Sequence, residues 1–158
     1  MAFVLASAAG AAEPTTSHCS ASEQTLFTCS TGSKIVSVCA TAELSPDAGS
    51  VQYRFGPVAA PELAYPRAGA DWRKLTRGGV LTFAGGGGAY LAFTNAPFRY
   101  VVYTAIGRGW GEKAGVVVEK HGKRVVNLRC VGKETSEIGP DLFAKSGIVK
   151  ESGGFDVP

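Results

Sequence analysis

The sequence predicts an all-β domain, a small antiparallel barrel or strongly curved sheet of about eight strands with a short C-terminal helix. Three observations carry that expectation. Short runs of β-branched and aromatic residues recur at close spacing, and turn residues punctuate them. Glycine occurs 21 times in 158 residues, where usage of about 7% gives about 11. That much glycine disfavours long helices. Apolar residues make up 45% of the chain and charged residues 18%, a balance opposite to that of a disordered chain. The net charge is +3, and its Lys and Arg are scattered, which excludes the basic footprint of a nucleic-acid binder. No apolar run reaches the roughly 18 residues of a membrane span.

Residues 1–12 (MAFVLASAAGAA) are read as the remnant of a signal peptide, with Ala9-Gly10-Ala11 as an A-x-A cleavage pattern. Residues 13–158 then form a single β-barrel-like domain. No lipobox precedes Cys19, whose neighbours are Ser17 and His18.

The first strand is expected over residues 24–30 (QTLFTCS), with a turn at Thr31-Gly32-Ser33 and a second strand over 34–41 (KIVSVCAT). Residues 45–49 (SPDAG) form a turn: Pro presets φ, Asp bonds its own backbone, and Gly supplies positive φ. In residues 50–55 (SVQYRF), Val51, Tyr53 and Phe55 share a face. Residues 56–78 break the rhythm. Pro57, Pro61 and Pro66 cannot donate ladder hydrogen bonds, so the stretch reads as a long surface excursion in which Trp72 is structural.

Strands resume over residues 79–84 (GVLTFA) and 89–95 (AYLAFTN), with Gly85, Gly86, Gly87 and Gly88 as a four-glycine turn between them. Residues 98–106 (FRYVVYTAI) form a long strand, and residues 107–113 (GRGWGEK) a glycine-rich loop that displays Trp110. The runs 115–120 and 123–130 flank a His121-Gly122 hairpin turn. Near the end, Pro140 opens a short helix through Lys145, Gly147 follows it, and Phe143 and Ile148 dock it.

Cys19, Cys29 and Cys39 are evenly spaced, and Cys130 lies far away. Four cysteines in an exported chain suggest two disulfides, with three connectivities open. The close C-x₂₋₄-C pairs that zinc prefers are missing. The glycine run lacks the Lys-Ser/Thr of a phosphate loop and joins two strands. Acids are dispersed, no Ser sits in G-x-S-x-G, and His121 belongs to a turn, so the chain reads as a non-enzyme without metal or cofactor.

The segments FTCSTGSKIVSVCA, SVQYRFG, GGGGAYLAF, FRYVVYTAIG, EKAGVVVEKHGK and NLRC together resemble a widespread family of small uncharacterised exported proteins of Gram-negative bacteria. A more distant similarity is to the periplasmic C-type lysozyme inhibitors, which are eight-stranded antiparallel barrels. Phe27-Thr28-Cys29, the glycine hairpin leading to Tyr90, and Asn127-Leu128-Arg129-Cys130 fall in that family's order. The inhibitors' hairpin serine is absent here. The resemblance implies a Cys29–Cys130 bond closing the barrel, with Cys19 joined to Cys39. It also implies a periplasmic or secreted binding protein, an inhibitor or immunity-type partner of a lysozyme-like or other peptidoglycan-active enzyme, that occludes a cleft with its loops. In that role Gly85 to Gly88 offer backbone contacts, Tyr90 and Trp110 apolar anchoring, and Arg108 or Lys113 a charge for acidic groups. The alternative is a structural or envelope-housekeeping domain with no enzyme target.

Overall fold

Alternation of apolar and polar side chains sets the strands, and two chain crossings divide them into two sheets. The structure, a computed structural model, describes residues 16–152 and 154–158; the signal-peptide reading of residues 1–12 lies outside them. In chain order the elements are β1 (Glu23–Ser30), β2 (Ile35–Thr41), β3 (Val51–Gly56), β4 (Leu63–Tyr65) and α1 (Trp72–Leu75). There follow β5 (Thr76–Phe83), β6 (Gly86–Asn95), β7 (Phe98–Gly107), β8 (Gly111–Lys120), β9 (Lys123–Arg129), β10 (Val131–Ser136) and α2 (Pro140–Ser146). The first sheet has the order β10-β1-β2-β3-β4 and the second β5-β6-β7-β8-β9. All these strand pairs are antiparallel.

The expected all-β architecture and C-terminal helix are present, but no ladder closes the sheets into a barrel among the described residues. The reason lies at Cys130. β9 pairs with β8 as far as Arg129, and the next amide, of Cys130, donates to the Ala114 carbonyl at 2.9 Å. One residue later β10 is paired with β1. The chain therefore changes sheets at a corner, and both corner strands remain edges.

The core lies between the sheets. Phe27, Val36, Val38 and Tyr53 of the first sheet meet Leu91, Phe93, Tyr100 and Val102 of the second. Burying each such side chain contributes about 1.5–3 kcal/mol. Tyr53 stacks on Tyr100 at 5.2 Å and tilts against Phe93 at 5.8 Å, joining the sheets through aromatic contacts. α2 caps the core with Leu142 and Phe143. Pro140 opens it, and the amide of left-handed Gly147 donates to the Phe143 carbonyl. A Cβ at Gly78 would overlap the Phe143 ring, so the helix sits directly on β5.

Each sheet also has an outer face, and each is partly covered by a chain end. Residues 16–19 lie on the first sheet. Thr28 donates to the Thr16 carbonyl, the His18 amide donates to Ser37 Oγ at 3.0 Å, and Cys19 bonds Cys39. Arg54 pairs with Glu23 through both terminal guanidinium nitrogens at 2.8 Å and also donates to the His18 carbonyl. Its guanidinium holds the Glu23 carboxyl below the usual range. Residues 154–158 lie on the second sheet, where Phe155 packs against Tyr90 and Tyr103.

Four sequence expectations need correction. Strands β4 and β10 and helix α1 were not foreseen. The 56–78 excursion contains β4 and α1, whose Trp72 is buried as expected and donates to the Gly49 carbonyl at 2.8 Å. The four-glycine turn is only Ala84-Gly85, because Gly86, Gly87 and Gly88 belong to β6. The 107–113 loop shrinks to Arg108-Gly109-Trp110, so Lys113 is a strand residue.

The disulfides are Cys29–Cys130 and Cys19–Cys39, as the resemblance implied. They span 101 and 20 residues respectively. Urea unfolding of Cys29→Ala/Cys130→Ala should show a loss of about 4–5 kcal/mol, and Cys19→Ala/Cys39→Ala one of about 3 kcal/mol, on the chain-entropy scale. A smaller loss for the long-range pair would mean that the corner at Cys130 is held without its bond.

Candidate functional site

The hairpin tips β5–β6 and β7–β8 lie side by side at one end of the second sheet. The Arg108 amide donates to the Gly85 carbonyl at 2.9 Å, and a Cβ added to Gly85 would press on Arg108 Cβ. Gly85 has φ +79, which a side chain rarely adopts. The two glycine-rich segments are thus in contact.

Glycines 86 and 88 serve a different purpose. β6 runs between β5 and β7, and its neighbours approach too closely for side chains. A Cβ at Gly86 would fall 2.0 Å from the Ile106 carbonyl oxygen, and one at Gly88 2.2 Å from that of Thr104. The glycines permit the strands to pack. Gly86, Gly87 and Gly88 pair on both sides within the sheet, so the backbone open to a partner is the Ala84-Gly85 tip.

Trp110 lies over Gly107, where a Cβ would meet the indole at 2.1 Å. Its ring sits 5.7 Å from Phe83, the Lys113 ammonium is 4.8 Å above it, and the residue remains 39% exposed. On the opposite face of the same sheet end, Ile106 is 56% exposed. Ile106 and its register partner Glu112, with nearby Thr82, belong to the face that elsewhere forms the core, yet all three are exposed. The opposing sheet does not reach this end. This end is a single layer with Trp110 and Phe83 on one face and Ile106 on the other.

A groove of about 390 Å³ beside Trp110 is lined by Leu81, Phe83, Lys113 and Phe155, among others. A second concavity of about 570 Å³, with Glu112, Arg129 and Lys133 in its walls, lies on the indole's other side. Arg108 is exposed and forms no salt bridge among the described residues. Lys113 is committed: its ammonium donates to the Pro158 backbone oxygen at 2.8 Å.

Tyr90 does not join this surface. It is 2% exposed, lies flat over Gly79, and donates to Glu151 Oε1 at 2.9 Å. Sequence reasoning read it as an apolar anchor. The covering residues, Glu151 and Phe155, are more than sixty positions away, and no local pattern announces them. Burial first, then the hydrogen bond to Glu151, raises the Tyr90 pKa to about 12.

Cys19, Glu23 and Cys39 place three potential metal-ligand atoms within 4.8 Å. The two sulfurs are bonded to each other and Glu23 is held by Arg54, so no thiolate is present to bind a metal. No family model matches the chain, and neither a curated protein nor a solved structure matches it.

The Tyr90 shift sets a pH dependence. A phenol whose folded pKa exceeds its unfolded value stabilises the fold below about pH 10, and that contribution is lost as pH rises towards 12. Tyr53 and Tyr103 are raised for the same first reason, burial, and act in the same direction. Stability measured by urea unfolding should fall between pH 10 and 11.5, with a shallower slope in Tyr90→Phe. An unchanged slope would show that Tyr90 titrates as a free phenol.

Proposed function

We propose that the chain is an exported binding protein that inhibits, or protects against, a cell-wall-degrading enzyme by inserting its hairpin end into the enzyme's cleft. The observation that carries this reading is the end formed by the two joined tips, with Trp110 exposed on one face and Ile106 on the other. A single-layer end, four strands wide, with apolar side chains on both faces suits a cleft with two walls. Arg108, exposed and without an ion pair, supplies the charge for acidic groups in such a cleft. Peptidoglycan-active enzymes of the lysozyme type work with paired carboxylates, which gives that charge a counterpart.

Export rests on the reading of residues 1–12 and is supported by two disulfides, which persist in oxidising compartments. Among the described residues, no helix is long and apolar enough to cross a membrane.

A second reading, a structural envelope domain without an enzyme target, is favoured by one contact. Trp110 covers Gly107 and packs on Phe83, which gives the indole a local structural task. Capture of partners from periplasmic extract, followed by lysozyme-inhibition assays, separates the two. Trp110→Ala should weaken binding to the captured enzyme at least about tenfold, which corresponds to about 1.4 kcal/mol. Its melting temperature should change little, since the indole stands outside the core. If the variant unfolds while affinity per folded molecule is kept, Trp110 is a cap and the cleft-insertion reading fails.

A further inference from the structure

The outer face of the second sheet carries a trough, and the chain's own C-terminal segment lies in it. Glycines 79, 86, 88 and 115 face this side in register with Tyr90 and Tyr103, leaving a floor of backbone and two aromatic rings. Phe155 enters this floor, 8% exposed, with its ring 5.4 Å from Tyr90 and 5.2 Å from Tyr103. Three cationic side chains from three different strands donate to carbonyls of the segment. Arg99 reaches Gly154 at 3.1 Å, Lys113 reaches Pro158 at 2.8 Å, and Arg124 bonds Asp156. Glu151 is held by Arg99 and by the Tyr90 hydroxyl.

Such recognition reads a peptide by its backbone and by three side chains: a carboxylate, a phenylalanine four residues later, and the half-buried Val157 beyond it. Residues 154–158 form no strand, while just before them the chain is bridged to β5, the Gly78 amide donating to the Val149 carbonyl and the Glu151 amide to the Gly78 carbonyl. The segment underfills the trough. A cavity of about 390 Å³ lies on its Trp110 side and one of about 580 Å³ on its Glu119 side, and Phe155 and Asp156 wall both. In the floor, the buried Tyr103 phenol faces the guanidinium groups of Arg129 and Arg124.

We propose that this trough is a binding site for an extended segment of another protein, one carrying a carboxylate and, four residues on, a phenylalanine. The chain's own residues 151–158 are its resident competitor. The inference stands apart from the cleft-insertion reading, because its test measures peptide binding and needs no enzyme.

The probe is a labelled peptide of residues 149–158 (VKESGGFDVP), titrated by fluorescence anisotropy into the intact chain and into its Phe155→Ala variant. The attached segment competes at an effective concentration on the order of millimolar. The variant should therefore bind the peptide at least about tenfold more tightly than the intact chain does. A peptide carrying Phe155→Ala should bind neither. Should Phe155→Ala fail to fold, Glu151→Gln loosens the segment while keeping every apolar contact, and should show the same order with about a threefold difference. Equal affinity of intact and variant chains, or binding indifferent to the peptide's phenylalanine, overturns the proposal. Light scattering that shows dimers of the intact chain also overturns it, since a second copy's tail is then the occupant.

Discussion

The Cys29–Cys130 bond is the constraint on which the rest of the architecture depends. Cys29 is fully buried in the core, and Cys130 stands at the point where the chain leaves one sheet for the other. The bond fixes the crossing against β1. It thereby sets where β10 pairs, how the two inner faces align, and how far the second sheet extends beyond the first. An antiparallel pair formed between residues more than a hundred positions apart carries a large loop-closure cost. The covalent tie removes much of that cost from the folding equilibrium. β10 itself is polar and largely exposed, so its own side chains offer little reason to pair.

This explains which parts of the fold were legible in the sequence. The strands around Phe27, Val36, Tyr53 and Val102 announce themselves, because each alternates a core-facing apolar residue with something else. Residues 131–136 (VGKETS) lack that pattern, and their pairing is dictated from outside by the tether at Cys130. β4 has three residues set between Pro61 and Pro66, and α1 has four, lengths at which periodicity carries no signal. The glycine run misled for a different physical reason. Glycine is ordinarily depleted in strands, but β6 passes so close to its neighbours that a side chain has no room. The sequence showed where the hairpin is, and side-chain volume, visible only in three dimensions, decided where it turns.

A two-sheet core leaves two outer faces, and this chain treats them alike. On the first sheet, buried Thr28 and Ser37 need polar partners, and they find them in each other, in Thr16 and in His18. A disulfide holds that cover. On the second sheet the buried residues are aromatic and β-branched, and the cover is a phenylalanine with a carboxylate beside it. The difference is one of permanence. A covalent bond ties the N-terminal cover, whereas hydrogen bonds, ion pairs and one buried ring hold the C-terminal one. The Arg99–Glu151 pair is largely buried and adds to the hold, and Phe155 buries the most apolar surface of the segment. A buried aromatic side chain kept in place mainly by its own burial is the kind of contact that another aromatic side chain can replace.

Lys113 joins the two surfaces. Its ammonium lies over the Trp110 ring and also donates to Pro158, so one cation serves both the hairpin end and the C-terminal segment. The contacts are alternatives in energy though simultaneous in geometry: while the ammonium is shared, neither the indole nor the carbonyl has it alone. When the segment leaves, the cation loses its backbone acceptor, and the groove beside Trp110 loses the walls that Phe155, Asp156 and Val157 provide. The charge then stands over the Trp110 ring alone, at an end whose apolar residues are already exposed. Displacement of the segment, as proposed above, would take the Asp156 carboxylate and the Phe155 and Val157 walls away from this groove. On the two proposals taken together, an acidic partner at the hairpin end and an occupant of the trough would each favour the binding of the other by linkage.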